Sequence, residues 1–188
     1  MTFLKRPLTG FLVFCLCLGL IATRVQAADI PAFDGNSETP GANPMTHAEL
    51  PLDRPNIEQT ALLPWVADKA SEAYSLDLDS YKDSLKKASK NFTTEGWKGF
   101  TSVLARNGII DKIEKTKMVV SIVPGTPILL SEGPREGVYT WLVTMPATIT
   151  YLAAKEQHDE LTTINVTVRR VPAKDNLLGI QIADWTQT

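Results

Sequence analysis

The chain has 188 residues, and 19 lysines and arginines face 21 aspartates and glutamates, for a formal net charge of −2. Hydrophobic residues make up 44% of the sequence, which is enough for a globular core. The acidic balance argues against nucleic-acid binding through bulk electrostatics.

The first 27 residues have the order of a cleavable secretory signal. Lys5 and Arg6 form a basic start, residues 11–22 are apolar, and Val25-Gln26-Ala27 precedes the expected cleavage site. The apolar stretch holds about a dozen residues, whereas a spanning helix needs about 20, so a retained anchor is the less favoured alternative. Cleavage would remove both cysteines and leave 16 basic against 21 acidic residues, a net charge of −5. The sequence therefore predicts an exported, periplasmic protein without a disulfide.

Residues 28–57 are predicted to be a disordered, proline-rich linker. Proline interrupts both helices and strand pairing, and this segment contains five prolines: Pro31, Pro40, Pro44, Pro51 and Pro55. A tether or a partner-binding arm is the alternative to a passive leader. The folded domain is expected to span residues 58–188.

Three amphipathic helices are predicted at the start of this domain, because apolar residues recur there at steps of three and four. The first helix is expected to begin between Gln59 and Leu63, which places Pro64 in an early turn where proline is tolerated. The second helix is expected to be capped by Asp77 or Asp79.

The third helix is expected to begin at Thr93 or Thr94 and to end at Asn107-Gly108, because glycine suits the left-handed residue that terminates a helix. Its buried side chains are expected to be Trp97, Phe100, Val103 and Leu104. After Gly108 the pattern predicts only strands.

The clearest strand signal runs over residues 138–152. Every second residue from Tyr139 to Tyr151 is apolar or aromatic, while the residues between them are mainly threonines. This alternation is typical of a strand with one buried face. Pro146 inside this strand predicts a bulge, a bend or an unpaired edge position. Shorter strands are predicted at 118–123, 128–130, 164–168 and 178–182. Helices followed by an antiparallel meander predict one α+β domain with the helices packed on one face of the sheet.

Few residues could carry chemistry, and the sequence predicts no catalytic residue, cofactor or metal. His47 and His158 lack a second histidine or cysteine at ligand spacing, and no serine lies in a Gly-x-Ser-x-Gly context. Asp184 is the one carboxylate for which a catalytic role is an alternative. Alternation places it on the face of Ile180 and Ile182, where a raised pKa would make it a general base. A solvated strand end is the favoured interpretation for Asp184.

Several different aromatic-rich blocks lie within residues 58–185. They are Ala61-Leu62-Leu63-Pro64-Trp65, Asn91-Phe92-Thr93-Thr94-Glu95-Gly96-Trp97, Tyr139-x-Trp141 and Thr150-Tyr151. These blocks resemble the IcmL/DotI family of type IVB secretion systems. The resemblance implies a nuclear-transport-factor-two-like fold, in which helices wrap a curved antiparallel sheet. It also implies a non-enzymatic periplasmic component or assembly factor, either a core subunit or a soluble paralogue.

The partners implied by this resemblance are secretion-system subunits or further copies of the chain, without nucleic acid and with membrane contact only if the signal is retained as an anchor. The alternative function is a cone-cavity enzyme or a small-ligand-binding protein of the same fold, since a fold does not fix a function. A buried carboxylate in an open apolar cavity would favour that alternative. A filled interior beside an exposed apolar patch would favour the interaction protein.

Overall fold

A computed structural model describes residues 50–154 and 156–188 of the chain. The predicted signal peptide and residues 28–49 of the predicted linker lie outside the described residues. Within the described residues the order of elements is α1 (Gln59–Ala73), α2 (Tyr81–Ala88), α3 (Thr94–Arg106), α4 (Ile109–Thr116), β1 (Val119–Pro124), β2 (Ile128–Arg135), β3 (Val138–Ala153), β4 (Glu156–Arg170) and β5 (Ile180–Gln187). Helices therefore precede an antiparallel sheet, as the sequence predicts.

The first two helices begin close to the predicted positions. α1 starts at Gln59 and buries one stripe of side chains, namely Leu62, Val66, Ala70 and Ala73. Before α2, the Asp77 carboxylate accepts hydrogen bonds from the backbone N–H groups of Asp79 (3.0 Å) and Ser80 (2.9 Å). Of the two predicted capping residues, Asp77 thus organises the turn that leads into α2.

Gly108 ends α3 as predicted, but the expectation that only strands follow it is wrong. The Thr93 hydroxyl caps the other end of α3, accepting from the Gly96 N–H at 3.1 Å. Gly108 has a left-handed φ of 59° and immediately precedes α4. Ile109 and Ile113 are the buried residues of α4, one helical turn apart. Three isoleucines in eight residues, two of them adjacent, are too few for a periodic signal, so the sequence does not separate α4 from a loop.

The sheet is organised around β3. β1 pairs with residues 147–152 of β3, and β2 pairs with residues 138–144 of β3. β4 pairs with β3 along residues 140–153 of β3, and β5 pairs with β4 at the edge of the sheet. Strands β2 and β4 are longer than predicted. β2 continues through Gly133-Pro134, beyond the predicted strand at 128–130, and the chain reverses at Glu136-Gly137, whose φ angles are 52° and 77°.

Pro146 fits inside the central strand because of where the neighbouring strands end. It lies between the β1 and β2 pairings, and its carbonyl oxygen accepts from the Gly125 N–H at 2.7 Å. In an antiparallel strand the N–H and C=O of one residue point to the same side, so the missing N–H of Pro146 faces the β1–β2 connection. A proline here removes no ladder hydrogen bond, which confirms the predicted unpaired position.

The alternation predicted for β3 is confirmed. Its helix-facing side chains are buried, apart from the half-buried Tyr139: Trp141, Val143, Met145, Ala147, Ile149 and Tyr151. From β4, Ile164, Val166 and Val168 meet them on the same face. The core therefore lies between the four helices and one face of the sheet.

A buried arginine holds the start of the described chain against the end of β4. The Arg170 side chain is 1% exposed, and its guanidinium donates to the backbone carbonyls of Gly179 (Nε, 3.2 Å), Arg54 (Nη1, 2.8 Å) and Leu50 (Nη2, 3.2 Å). Burial lowers the pKa of this guanidinium from a very high starting value, so it stays charged.

The backbone of residues 50–54 also bonds directly to the sheet. The Tyr139 N–H donates to the Leu52 carbonyl at 2.7 Å. The sequence analysis assigned residues 50–57 to the linker, whereas at least residues 50–54 are bound to the ends of β3 and β4. Alternate residues of β4 point inward up to Val168, and Arg170 is the next residue on that face. This alternation is the feature of the sequence that indicates burial of Arg170.

We predict that Trp141→Ala lowers the free energy of unfolding by about 3–5 kcal/mol, the usual range for deleting a large buried aromatic side chain. Thr148→Ala on the opposite face of β3 serves as the control and should cost about 0.5 kcal/mol or less. Denaturant titration followed by fluorescence or circular dichroism measures both. Equal losses for the two variants would contradict the assignment of strand faces.

We predict that Arg170→Lys lowers the free energy of unfolding by about 2–4 kcal/mol. Charge-assisted hydrogen bonds are worth roughly 1.5–3 kcal/mol each, and a lysine ammonium cannot reproduce the three hydrogen bonds of the planar guanidinium. Arg169→Lys, at the adjacent exposed position, is the matched control and should change stability little. Hydrogen exchange should also show faster exchange of the Tyr139 amide in Arg170→Lys alone. Unchanged protection of that amide would contradict the link between Arg170 and residues 50–54.

Candidate interaction surface

The space between helices and sheet is filled by side chains. An aromatic cluster occupies its centre, in which the Phe100 ring packs edge-on against Trp185 (centroids 5.3 Å apart) and Tyr74 (5.5 Å). Trp141 and Met145 are fully buried beside it. The indole N–H groups of Trp141 and Trp185 have no hydrogen-bond partner among the described residues, an arrangement that costs free energy. A filled, apolar interior leaves no room at this point for a polar substrate.

Two tyrosines place hydroxyl groups at the polar margin of this core. The Tyr74 hydroxyl donates to Gln187 Oε1 (2.5 Å), and the Tyr151 hydroxyl donates to Glu160 Oε2 (3.1 Å). Burial, with Tyr151 and Glu160 nearby, raises the pKa of Tyr74, and burial with the Glu160 charge raises the pKa of Tyr151. Phenols with raised pKa values hold their protons near neutral pH, so neither serves as a general base.

Asp184 points to solvent, so its placement on the buried face by simple alternation is wrong. The register between β4 and β5 shifts at Thr167–Val168, leaving Ala183 as an extra residue in β5. This bulge reverses the parity of β5, and Ile182 and Trp185 are both buried while Asp184 is exposed. The solvated strand end favoured by the sequence analysis is the arrangement found.

Of the two histidines, only His158 lies among the described residues. The His158 ring stacks on Tyr151 with the centroids 6.1 Å apart. His47 lies outside the described residues. Within residues 50–154 and 156–188, no group of three or more histidine, cysteine, aspartate or glutamate side chains is arranged to hold a metal ion.

The half-buried carboxylate of Glu72 has a structural partner on each side. It pairs with Lys69 (2.8 Å) on α1 and with Lys87 (3.2 Å) on α2, which ties the two helices together. Burial alone would raise the pKa of Glu72, but hydrogen bonds and charges from the two lysines outweigh burial and lower it. An ionised, doubly paired carboxylate of this kind stabilises a helix pair and is a poor proton acceptor.

The face of the sheet that points away from the helices carries exposed apolar side chains. The pairing register places Val123 of β1, Thr148 of β3 and Leu161 of β4 in one cross-strand row. Leu161 is 86% exposed and Val123 is 64% exposed. Pro146 and Thr163 form the adjacent row. These five residues are termed the outer band.

The outer band lines a shallow surface groove of about 480 Å³, and none of the groove's ten lining residues has a charged side chain. The sequence analysis missed this surface because Leu161 follows a run of polar residues that reads as a hairpin. Alternation along β4 could have indicated this surface. Leu161 lies on the face of β4 opposite to Ile164 and Val166, so it is exposed.

Comparison with known proteins gives consistent matches to type IV secretion proteins. A sequence profile of the DotI/IcmL family, described as an inner-membrane complex component of the type IVb secretion system, matches residues 42–188. The periplasmic domain of DotI has 31% sequence identity and a TM-score of 0.67, covering 70% of this chain and 96% of that one. No protein of curated function matches the chain significantly.

Two more distant structures support the fold. A periplasmic fragment of TraM has 21% identity and a TM-score of 0.67, covering 69% of this chain and 96% of its own. An IcmL-like type IV secretion protein from Legionella pneumophila has 17% identity and a TM-score of 0.63, covering 70% and 93%. The predicted α+β fold of nuclear-transport-factor-two type, with helices on a curved antiparallel sheet, is confirmed. Of the helices in the described residues, none is both long and apolar enough to cross a membrane.

Proposed function

We propose that this chain, which belongs to the DotI/IcmL family of type IVB secretion-system components, acts through protein contacts and without catalysis. The observation that carries the proposal is a filled interior beside an exposed, uncharged band on the opposite face of the sheet. A domain built in this way presents recognition chemistry on its outside, where an exposed apolar patch is typical of an interaction site.

The alternative of a cone-cavity enzyme or ligand-binding protein has no supporting observation among the described residues. Aromatic side chains occupy the centre of the domain, and Asp184 lies on its surface. The two tyrosine hydroxyls at the margin of the core have raised pKa values. We therefore propose that the chain is not an enzyme and needs no cofactor.

The proposed partners are protein subunits of the secretion machine or further copies of this chain. Residues 50–188 contain 16 lysines and arginines against 17 aspartates and glutamates, so the domain has almost no net charge. This near balance supports protein partners over nucleic acid, which requires a basic surface.

We also propose the domain organisation: a signal peptide at 1–27, a proline-rich linker that begins at residue 28, and an interaction domain at 58–188 to which residues 50–54 are bound. The order of basic, apolar and small residues in the first 27 residues supports export. The DotI match is to a periplasmic domain, which supports a periplasmic location for the folded part.

We predict that the exported protein begins at Ala28 and is released with the soluble periplasmic fraction, because Val25-Gln26-Ala27 precedes the cleavage site. Intact-mass measurement after cell fractionation tests this directly. A mass that includes residues 1–27, found in the membrane fraction, would instead establish a retained anchor.

We predict that Asp184→Asn complements a deletion strain fully in a secretion assay, because the side chain is exposed and lies outside the outer band. If Asp184 were a general base, the variant would lose activity by about 10²–10⁴-fold, since an amide cannot accept the proton. Expression level and melting temperature must first match those of the unmodified protein. Failure of a folded Asp184→Asn protein to complement would sink the proposal that catalysis is absent.

A further inference from the structure

The hairpin of β3 and β4 extends beyond the rest of the sheet and leaves one edge of β4 unpaired. β4 pairs with β3 as far as Glu156, whereas its pairing with β5 ends at the hydrogen bonds between Thr163 and Thr188. Among the described residues, no strand pairs with β4 on that side over residues 157–161. All five of these residues are exposed.

The backbone groups along this edge are oriented to bond a further strand. The Thr163 N–H donates to the Thr188 carbonyl at 2.8 Å and the Thr188 N–H donates back at 3.0 Å, so the backbone of Thr163 faces β5. In an antiparallel strand the N–H and C=O of one residue point to the same side, and every second residue points alike. The backbone groups of Gln157, Asp159 and Leu161 therefore face the open edge. An unpaired edge is a template for an added strand.

The edge is regular and negatively charged. Its pairing with β3 has no bulge, and residues 156–161 contain neither proline nor glycine, two features that commonly protect an edge from pairing. Residues 156–161 contain three carboxylates, those of Glu156, Asp159 and Glu160, and no lysine or arginine. The charge is the feature that selects what pairs here.

Two of these carboxylates are held by neutral donors. Asp159 accepts from the Thr150 hydroxyl at 2.8 Å and from the Gln157 amide at 3.1 Å, and Glu160 accepts from the Tyr151 hydroxyl at 3.1 Å. The salt bridges within the described residues involve neither Asp159 nor Glu160. Both negative charges are therefore available to a basic partner.

We propose that an extended segment of another protein subunit, with basic side chains at two adjacent positions, adds to β4 along residues 157–161 as a further strand of the sheet. This inference rests on the proposed function and names the chemistry of one partner. Adjacent residues of a strand point to opposite faces, so each of two consecutive basic residues faces one carboxylate, Asp159 or Glu160. The residue opposite Leu161 lies beside the outer band, where an apolar side chain fits.

Charge argues against occupants from this chain. The antiparallel registers that overlap two copies of the edge most fully are centred on residue 158, 159 or 160. They place Glu156 opposite Glu160, Asp159 opposite Asp159, or Glu160 opposite Glu160, and like charges directly opposite destabilise a strand pair. Residues 28–49 contain four acidic residues, three prolines and no lysine or arginine, so they match neither the charge nor the pairing.

The test is residue-resolved amide exchange, measured by NMR on the full purified chain with a synthetic peptide of eight residues. The peptide has two adjacent lysines flanked by valines and threonines, and its control has glutamates in place of the lysines. So small a contact is transient, so the peptide is titrated to about millimolar concentration. The lysine peptide should slow exchange of the Gln157, Asp159 and Leu161 amides by about threefold or more. The His158 and Glu160 amides, which face β3, should change little.

Charge reversal provides the matched variants. Asp159→Lys with Glu160→Lys should weaken binding of the lysine peptide by about tenfold and allow the glutamate peptide to bind, because each cross-strand pair changes sign. Asp175→Lys with Asp184→Lys makes the same change of net charge at two exposed positions outside the edge, and it should keep the preference for lysine. Asp159→Asn with Glu160→Gln keeps the hydrogen-bond acceptors and should weaken binding severalfold, even if the charge reversal fails to fold.

Several outcomes would overturn the inference. Exchange that millimolar lysine peptide leaves unchanged would exclude strand addition, and equal binding of the two peptides would exclude selection by charge. Slowed exchange that does not alternate along residues 157–161 would indicate contact through side chains alone. Protection of the same amides at high protein concentration without peptide would make a second copy the occupant.

Secretion assays separate this inference from the proposed function. If peptide binding failed and Asp159→Lys with Glu160→Lys lost secretion activity while the matched control kept it, strand addition would be wrong. The proposed contact function would then stand, with a different contact at this hairpin.

Discussion

The pairing of β3 with β4 is the constraint on which the rest of the structure depends. Fourteen consecutive residue pairs, from Thr140↔Arg169 to Ala153↔Glu156, fix the two longest strands in one register. Because side chains alternate between the faces of a strand, a shift by one residue would move the apolar set of each strand to the other face. The same register therefore determines both the filled interior and the uncharged outer band.

The sequence predicts the parts of the fold that follow from local pattern. α1, α3 and β3 each carry a long periodic signal that burial then confirms, apart from Trp97 of α3, which is only half-buried. α4 was missed because it is short and has only two buried positions. The orientation of Asp184 depends on the bulge at Ala183. The stretch Ile180-Gln181-Ile182-Ala183-Asp184 has the alternation of a regular strand, so this stretch does not reveal that bulge. Only Trp185, adjacent to the aspartate, indicates that the buried parity has shifted.

The candidate surface is harder to predict than the core, because it is made by contacts distant in the sequence. Val123 and Leu161 become neighbours of Thr148 only through the antiparallel pairing of three separate strands. The burial of Arg170 has the same origin, since its hydrogen-bond acceptors at Leu50 and Arg54 are more than a hundred residues away along the chain. Parity identifies the face on which each of these side chains lies, but not what it contacts there.

The arginine contact lies far from the outer band. Arg170 and Tyr139 bind residues 50–54 at the end of the sheet where β3 begins and β4 finishes. Thr148 lies nine residues further along β3, about 30 Å at the rise of an extended strand. Residues 50–54 therefore leave the outer band uncovered.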